Sequence, residues 1–211
     1  MVIVIDCGGS IHAYLASGPD VVLGRPTVCP GCGAEHTLIG HGFYPRKPLD
    51  IHTAHRVRIR RWYCKACHHT LSQLPSFLLR FRHYLLEVIQ SVLAARYEQR
   101  GSYQQVAMQC GPQGAPARCT IRRWCRSFAA QASSWLSEIE QALAQQDPVT
   151  PLLDAHGQSS EPLDTPQAVL AASLHLLAWA KTQYVQIASY GLTERMRFLW
   201  HWGHARGLTR L

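Results

Sequence analysis

Acidic side chains are scarce in this chain: 13 Asp and Glu stand against 21 Lys and Arg in 211 residues. That scarcity bears on catalysis. Two-metal nucleotidyl transfer needs several carboxylates on a sheet-based core. Asp6 follows a short apolar strand, Val2–Ile5, but no second strand-borne acid follows it, and residues 127–211 read as helical. Walker loops, nucleophile elbows and catalytic triads are also missing. The expectation is a protein that is not an enzyme. Long apolar runs are lacking too. The longest, Ala168–Ala180, has 13 residues and includes Ser173 and His175; that is too short to span a bilayer. Val2–Ile5 is too short, and lacks the basic lead, for a secretory signal. The chain therefore reads as cytoplasmic. Neither internal repeats nor low-complexity tracts are visible.

The net charge is +8, unevenly placed. Residues 1–24 hold two acids and no Lys or Arg. Residues 25–126 hold 16 Lys/Arg and 4 Asp/Glu, a net of +12. Residues 127–211 hold 5 Lys/Arg and 7 acids. A basic middle between weakly acidic ends is the electrostatic footprint of a nucleic-acid module.

Four of the eight cysteines form two matched pairs, Cys29-Pro-Gly-Cys32 and Cys64-Lys-Ala-Cys67, separated by 31 residues. A C-x₂-C turn holds two thiolates on one side of a tight loop. Two such turns face each other to make a tetrahedral S₄ cage, which suits structural Zn²⁺. Pro30, Gly31 and Gly33 supply the turn chemistry. The same ligands also suit iron. A redox C-x-x-C is disfavoured, because two equal pairs occur and neither sits in a βαβ pattern. Cys7, Cys110, Cys119 and Cys125 form no further pair and read as small buried hydrophobes.

The predicted fold is mainly α with a small β zinc ribbon, followed by a helix-turn-helix unit and a C-terminal helical pair. An N-terminal strand and loop occupy 1–24 and the ribbon 25–75. Arg56-Val57-Arg58-Ile59-Arg60 alternates as a half-buried strand does, with the arginines on one face and Val57 and Ile59 on the other. It runs through Arg61 into Cys64. The helix-turn-helix unit takes 76–146. A long helix is expected over 76–100, with a stripe of Leu78, Phe81, Leu85, Ile89, Val92 and Leu93. Ser102 is placed to cap a short helix to Met108. Gly111–Pro116 breaks the chain, and a third helix runs from about Pro116 to Gln146. Residues 147–165 read as a linker and 166–211 as C-terminal helices.

The third helix carries Arg118, Thr120, Arg122, Arg123 and Arg126 near its N-terminal end. In a helix-turn-helix that end enters the major groove, where arginine reads guanine edges or grips phosphates. Arg56, Arg58, Arg60 and Arg61 suit phosphate contacts, having no fixed register with base edges. His68 and His69 adjoin the second pair, but with four cysteines present they are better placed around the cage than in it. His201 and His204, at i, i+3, are expected to pack among tryptophans.

Several segments carry a family resemblance: Cys29-Pro-x-Cys32; His41-Gly-x-Tyr44-x-Arg46; Arg61-Trp-Tyr-Cys64-x-x-Cys67-x-x-Thr70; Leu74-Pro75-Ser-Phe; Thr120-Ile-Arg-Arg-Trp124. Over about residues 25–140 the chain resembles small bacterial proteins of unknown function encoded in mobile elements. It is also similar to the zinc-ribbon and helix-turn-helix front end of insertion-sequence transposases. The resemblance implies that Cys29, Cys32, Cys64 and Cys67 bind structural Zn²⁺ and that the helix from about 118 docks on double-stranded DNA. It supplies no nuclease domain. The expected role is a non-catalytic DNA-binding protein of a mobile element, which works with a separately encoded transposase or regulates it, and which can act as a homodimer. The alternatives are an adaptor to a transposase or polymerase, and a truncated transposase.

Overall fold

The computed structural model describes residues 1–5, 10–97, 99–110 and 116–146, with residues 165, 168, 169, 171–173, 175 and 176. The chain divides into two compact units, Met1–Val88 and Ile89–Leu211.

The first unit is built on a four-stranded sheet. Its strands are β1 (Val2–Ile5), β2 (Leu38–Arg46), β3 (Val57–Cys64) and β4 (Thr70–Pro75), ordered β1-β4-β3-β2. The β2–β3 and β3–β4 pairs are antiparallel, while β1 lies parallel to β4 with Val2 opposite Ser72. This corrects the expectation of a mainly α chain with a small ribbon: a mixed sheet underlies the first unit. The strand at 2–5 carries no local sign of its partner, which lies 70 positions further on.

β3 shows why the sheet forms. Successive residues point to opposite faces, and the burial switches face along the strand. Val57 and Ile59 are fully buried on one face, where they join Ile11, Tyr14, Leu74, Leu78 and Leu85 in one core. Trp62 and Cys64 are buried on the other face, with Cys29, Leu38 and Leu71 in a second, smaller core. The neighbouring strands keep this phase over most of their length: Val2, Val4 and Tyr44 pack on the first core and Ile3 on the second, while Ile5, at the end of β1, also packs on the first. A bulge between Gly40 and Phe43 lets β2 follow, with Gly42 at φ 81° supplying a conformation other residues resist.

Two short helices pack against the first core. In α1 (Ile11–Ser17), the Ser10 hydroxyl accepts from the Ala13 N–H, and Ile11 and Tyr14 face the core. The Tyr14 hydroxyl donates to the Arg58 carbonyl at 2.8 Å, and its ring meets Phe77 edge-on at 5.4 Å. α2 (Pro19–Leu23) buries Leu23. Buried Gln73 locks this layer to the sheet. Its Oε1 accepts from Trp62 Nε1 at 2.7 Å, and its Nε2 donates to the carbonyls of Leu23 and Gly24 at 3.0 and 3.1 Å.

Residues 76–85 are not helical, against expectation. Leu78 bridges Leu85, Leu49 bridges Tyr84, and Phe81 takes a φ of 60° at 76% exposure. Pairing with the 48–50 segment replaces helical hydrogen bonds here, and a positive φ at an aromatic residue excludes a helix. The helix α3 begins only at Leu86 and ends at Tyr97.

The second unit contains α4 (Tyr103–Cys110), α5 (Arg118–Ala129) and α6 (Ala132–Gln146). Ser102 caps α4 in a reciprocal box. Its hydroxyl accepts from the Gln105 N–H, and the Gln105 side chain accepts from the Ser102 N–H. The helix expected from 116 to 146 is broken at Ala130–Gln131, where the Gln131 N–H turns back to the Phe128 carbonyl. Ala129 and Ala132, on either side of the break, are both buried. The Tyr97 hydroxyl donates to the Cys125 carbonyl at 3.1 Å. The linker (apart from Thr165), His201, His204 and nearly all of the expected C-terminal helices lie outside the described residues; 168–176 includes helical positions.

Candidate functional site

Two hairpin turns of the same construction bring the four cysteines together. In the first, the Cys29 N–H donates to the Ala34 carbonyl (3.0 Å) and the Gly33 N–H returns to the Cys29 carbonyl (2.8 Å). In the second, the Cys64 N–H donates to His69 and the His68 N–H returns to Cys64, each at 3.0 Å. Each turn ends on a positive φ, 72° at Gly33 and 60° at His68. One turn follows an isolated bridge at Val28–Glu35; the other extends β3 into β4.

The four Sγ atoms all lie within 4.8 Å of one another. Cys29–Cys67 and Cys32–Cys64 are both separated by 3.8 Å. That is far beyond a disulfide bond. It equals the edge of a tetrahedron whose centre-to-sulfur distance is about 2.3 Å, the length of a zinc–thiolate bond. The electrostatics fit a cation as well. The Thr37 hydroxyl, 3.2 Å from the sulfur, and then the N–H groups of Cys67 and Ala66 hold Cys64 down to about 6. The Ala34 N–H favours the Cys32 thiolate, but desolvation and the other three sulfurs outweigh it and push Cys32 up to about 12. Four thiolates so close repel one another, and a divalent ion at their centre relieves that repulsion. The residues therefore fit a metal, and Cys29, Cys32, Cys64 and Cys67 would hold it. Cys29 and Cys64 are buried and Cys32 is exposed, so the cage sits at the surface with its base in the smaller core.

Histidines stand around the cage and do not enter it. His68 Nδ1 shares a 2.8 Å hydrogen bond with the Tyr63 hydroxyl, and His69 Nδ1–H donates to the Cys67 carbonyl. His41 lies against the Tyr63 ring at 5.8 Å.

The predicted arginine surface of β3 divides. Arg56 is exposed and precedes the strand; Arg58 and Arg60 share a face, and Arg61 falls on the opposite one. Arg58 stacks on Phe43 at 4.2 Å and is exposed. Arg60 lies over both Phe43 and Trp62 at 4.6 Å, and its Nε is 3.3 Å from the Asp20 carboxylate. Asp20 thus offsets the charge of Arg60, a contact that strand alternation alone does not reveal.

On α5 the two faces separate cleanly. Ile121, Trp124, Cys125, Phe128 and Ala129 are buried. Arg118, Arg122, Arg123 and Arg126 are exposed, and Thr120 is half-buried. Arg118 donates to the Gln104 side chain at 2.7 Å, and the Arg122 guanidinium lies 5.4 Å from the centre of the Tyr103 ring. Tyr103 also receives Arg96 at 4.9 Å. Tyr103 and Gln104 were missed by sequence reasoning, since they signal only through their fold neighbours. Of the cysteines expected to be buried, Cys110 and Cys125 are, whereas Cys119 shares the exposed face of α5; Cys7 is outside the described residues. Among the described residues no helix is long and apolar enough to cross a membrane.

No curated protein and no solved structure matches this chain. Residues 29–124, from the first cysteine of the cage to Trp124 of α5, match the model of a family described as a domain of unknown function (DUF6431), so this stretch carries the pattern of an uncharacterised family.

Proposed function

We propose that this protein is a non-catalytic binder of double-stranded DNA, with Zn²⁺ as a structural ion in the four-cysteine cage. The observation that carries the reading is α5: four exposed arginines, no acid, and an apolar face that fixes the helix from behind. α4 and α5 act as a helix-turn-helix whose second helix enters the major groove. Arg118 and Arg122, steadied by Gln104 and Tyr103, grip phosphates, while Thr120 and Arg123 face base edges. Arg126 extends the row. Arg56, Arg58 and Arg61 add phosphate contacts, and Arg60, offset by Asp20, mainly holds the sheet. Zinc is preferred to iron because, among the described residues, nothing around the cage supplies a redox partner. The sequence resemblance to transposase front ends makes the ends of a mobile element the first duplexes to try, and a separately encoded transposase the first partner.

The test is fluorescence anisotropy of the zinc-loaded chain on element-end duplexes and on scrambled duplexes at several salt concentrations. Binding should weaken steeply with salt and prefer element DNA. Arg122→Ala with Arg123→Ala should weaken binding and relax the preference. Unchanged affinity and preference in that variant would remove α5 from the interface. Absence of binding at low salt would direct attention to an acidic protein partner.

A further inference from the structure

The first unit contains an open cleft of about 840 Å³, and no cysteine lines it. Arg46, Lys47, Arg80, Arg82 and His83 line it, and no lining residue is acidic. The cleft is braced. Arg46 donates from Nη1 to the Leu79 carbonyl at 3.1 Å and from Nη2 to the Arg82 carbonyl. The Leu49 N–H donates to the His83 carbonyl, and the Leu85 N–H to Leu49. Phe81 stands at the tip of this braced loop. It is 76% exposed, its φ is 60°, and the Arg80 guanidinium lies 4.6 Å from its ring centre. A bulky residue in the left-handed region is strained and persists where its surroundings impose it. The loop thus holds an aromatic ring out into solvent beside a cluster of cations.

We infer that this cleft binds a segment of single-stranded nucleic acid, one base stacking on Phe81 and the adjoining phosphates lying against Lys47, Arg80 and His83. A positive groove with a projecting aromatic is the arrangement that serves strand binding without sequence readout, because every base has a π-face and every linkage a charge. The volume fits one or two nucleotide units. A duplex presents no free base face to Phe81, so this site and the α5 surface take different forms of nucleic acid.

The probe is a fluorescein-labelled oligo-dT of about eight nucleotides, within the range of single-strand sites, titrated with the full zinc-loaded chain. Phe81→Ala should weaken binding roughly fivefold to a hundredfold, the effect of losing one stacked base. Phe81→Trp should restore it. Lys47→Ala with Arg80→Ala should lower the salt slope by about 1.4, from about 0.7 per single-strand phosphate. Arg122→Ala with Arg123→Ala should leave oligo-dT binding unchanged, and Phe81→Ala should leave duplex binding unchanged, so each site can fail without the other. Phe81 is exposed, and retained metal content and circular dichroism would show that its variants are folded. Undiminished oligo-dT binding by folded Phe81→Ala would overturn the inference. Equal binding of poly-Glu would overturn it too, as would a mononucleotide that binds as tightly as the oligonucleotide.

Discussion

Gln73 joins three groups: the buried Trp62 indole N–H, the carbonyl of buried Leu23 and the carbonyl of exposed Gly24. It is 1% exposed. Gln73→Leu keeps the volume and strands the two buried groups, and an orphaned buried group costs about 1–3 kcal/mol. Urea unfolding should show a loss of roughly 2–4 kcal/mol, since the carbonyls can recover some water. Asp50 makes a pH-dependent counterpart. Its Oδ1 accepts from the N–H groups of His52 and Thr53 at 2.6 and 2.5 Å, and its Oδ2 is 2.7 Å from His55 Nε2. Burial alone would raise its pKa, but the Thr53 and His52 N–H groups and His55 hold it down to about 2, from 3.8. The folded value is the lower one, so the stabilisation is full above pH 4 and fades as pH falls through 2. Relative to Asp50→Asn, the protein should lose about 2 kcal/mol between pH 4 and pH 2, measured by denaturant titration at each pH. A flat difference would mean the carboxylate is not stabilised by folding. The cysteine spacing was legible because its geometry is local. Gln73 was not, because the carbonyls it meets belong to residues 49 and 50 positions away.

At the scale of elements, α5 is built against its own electrostatics. Arg118, Arg122 and Arg126 follow at i, i+4, i+8, a spacing at which like charges destabilise a helix by about 0.2–0.5 kcal/mol per pair. Buried Ile121, Trp124 and Phe128 hold the helix regardless. An anionic partner turns that repulsion into attraction, so the duplex titration should carry a quantitative signature. If Arg122 and Arg123 both neutralise phosphates, their removal lowers the logarithmic salt slope by roughly 2. If Arg123 reads a base, the slope falls by about 1 and sequence preference collapses. The amphipathic stripe of α5 and the alternation of β3 were visible in sequence because both periods arise within one element. The segment 76–85 misled for the same reason in reverse. Leu78, Phe81 and Leu85 fall at helical spacing, but bridges to Leu49 and from Leu78 to Leu85 decide the backbone.

For the molecule as a whole, the cage is continuous with a core. Cys29 and Cys64 are buried with Leu38, Trp62 and Leu71, so ligation of a metal by the cage would be one event with packing of the sheet. Structural zinc contributes about 10–16 kcal/mol of apparent binding free energy, which becomes folding free energy. The purified protein should hold one equivalent of metal, and Cys64→Ala should lose it. Chelation should abolish the near-ultraviolet signal of Trp62 and expose residues 25–75 to proteolysis. A native spectrum in excess chelator would show that the ion is not structural. The parallel β1–β4 pair has a consequence for synthesis. Val2–Ile5 sits at a sheet edge whose partner, Ser72–Pro75, is made 70 residues later. At about 5–20 residues per second, a nascent chain carries an unpaired apolar strand for roughly four to fourteen seconds. During that interval the strand is open to the wrong neighbour, a second nascent copy included.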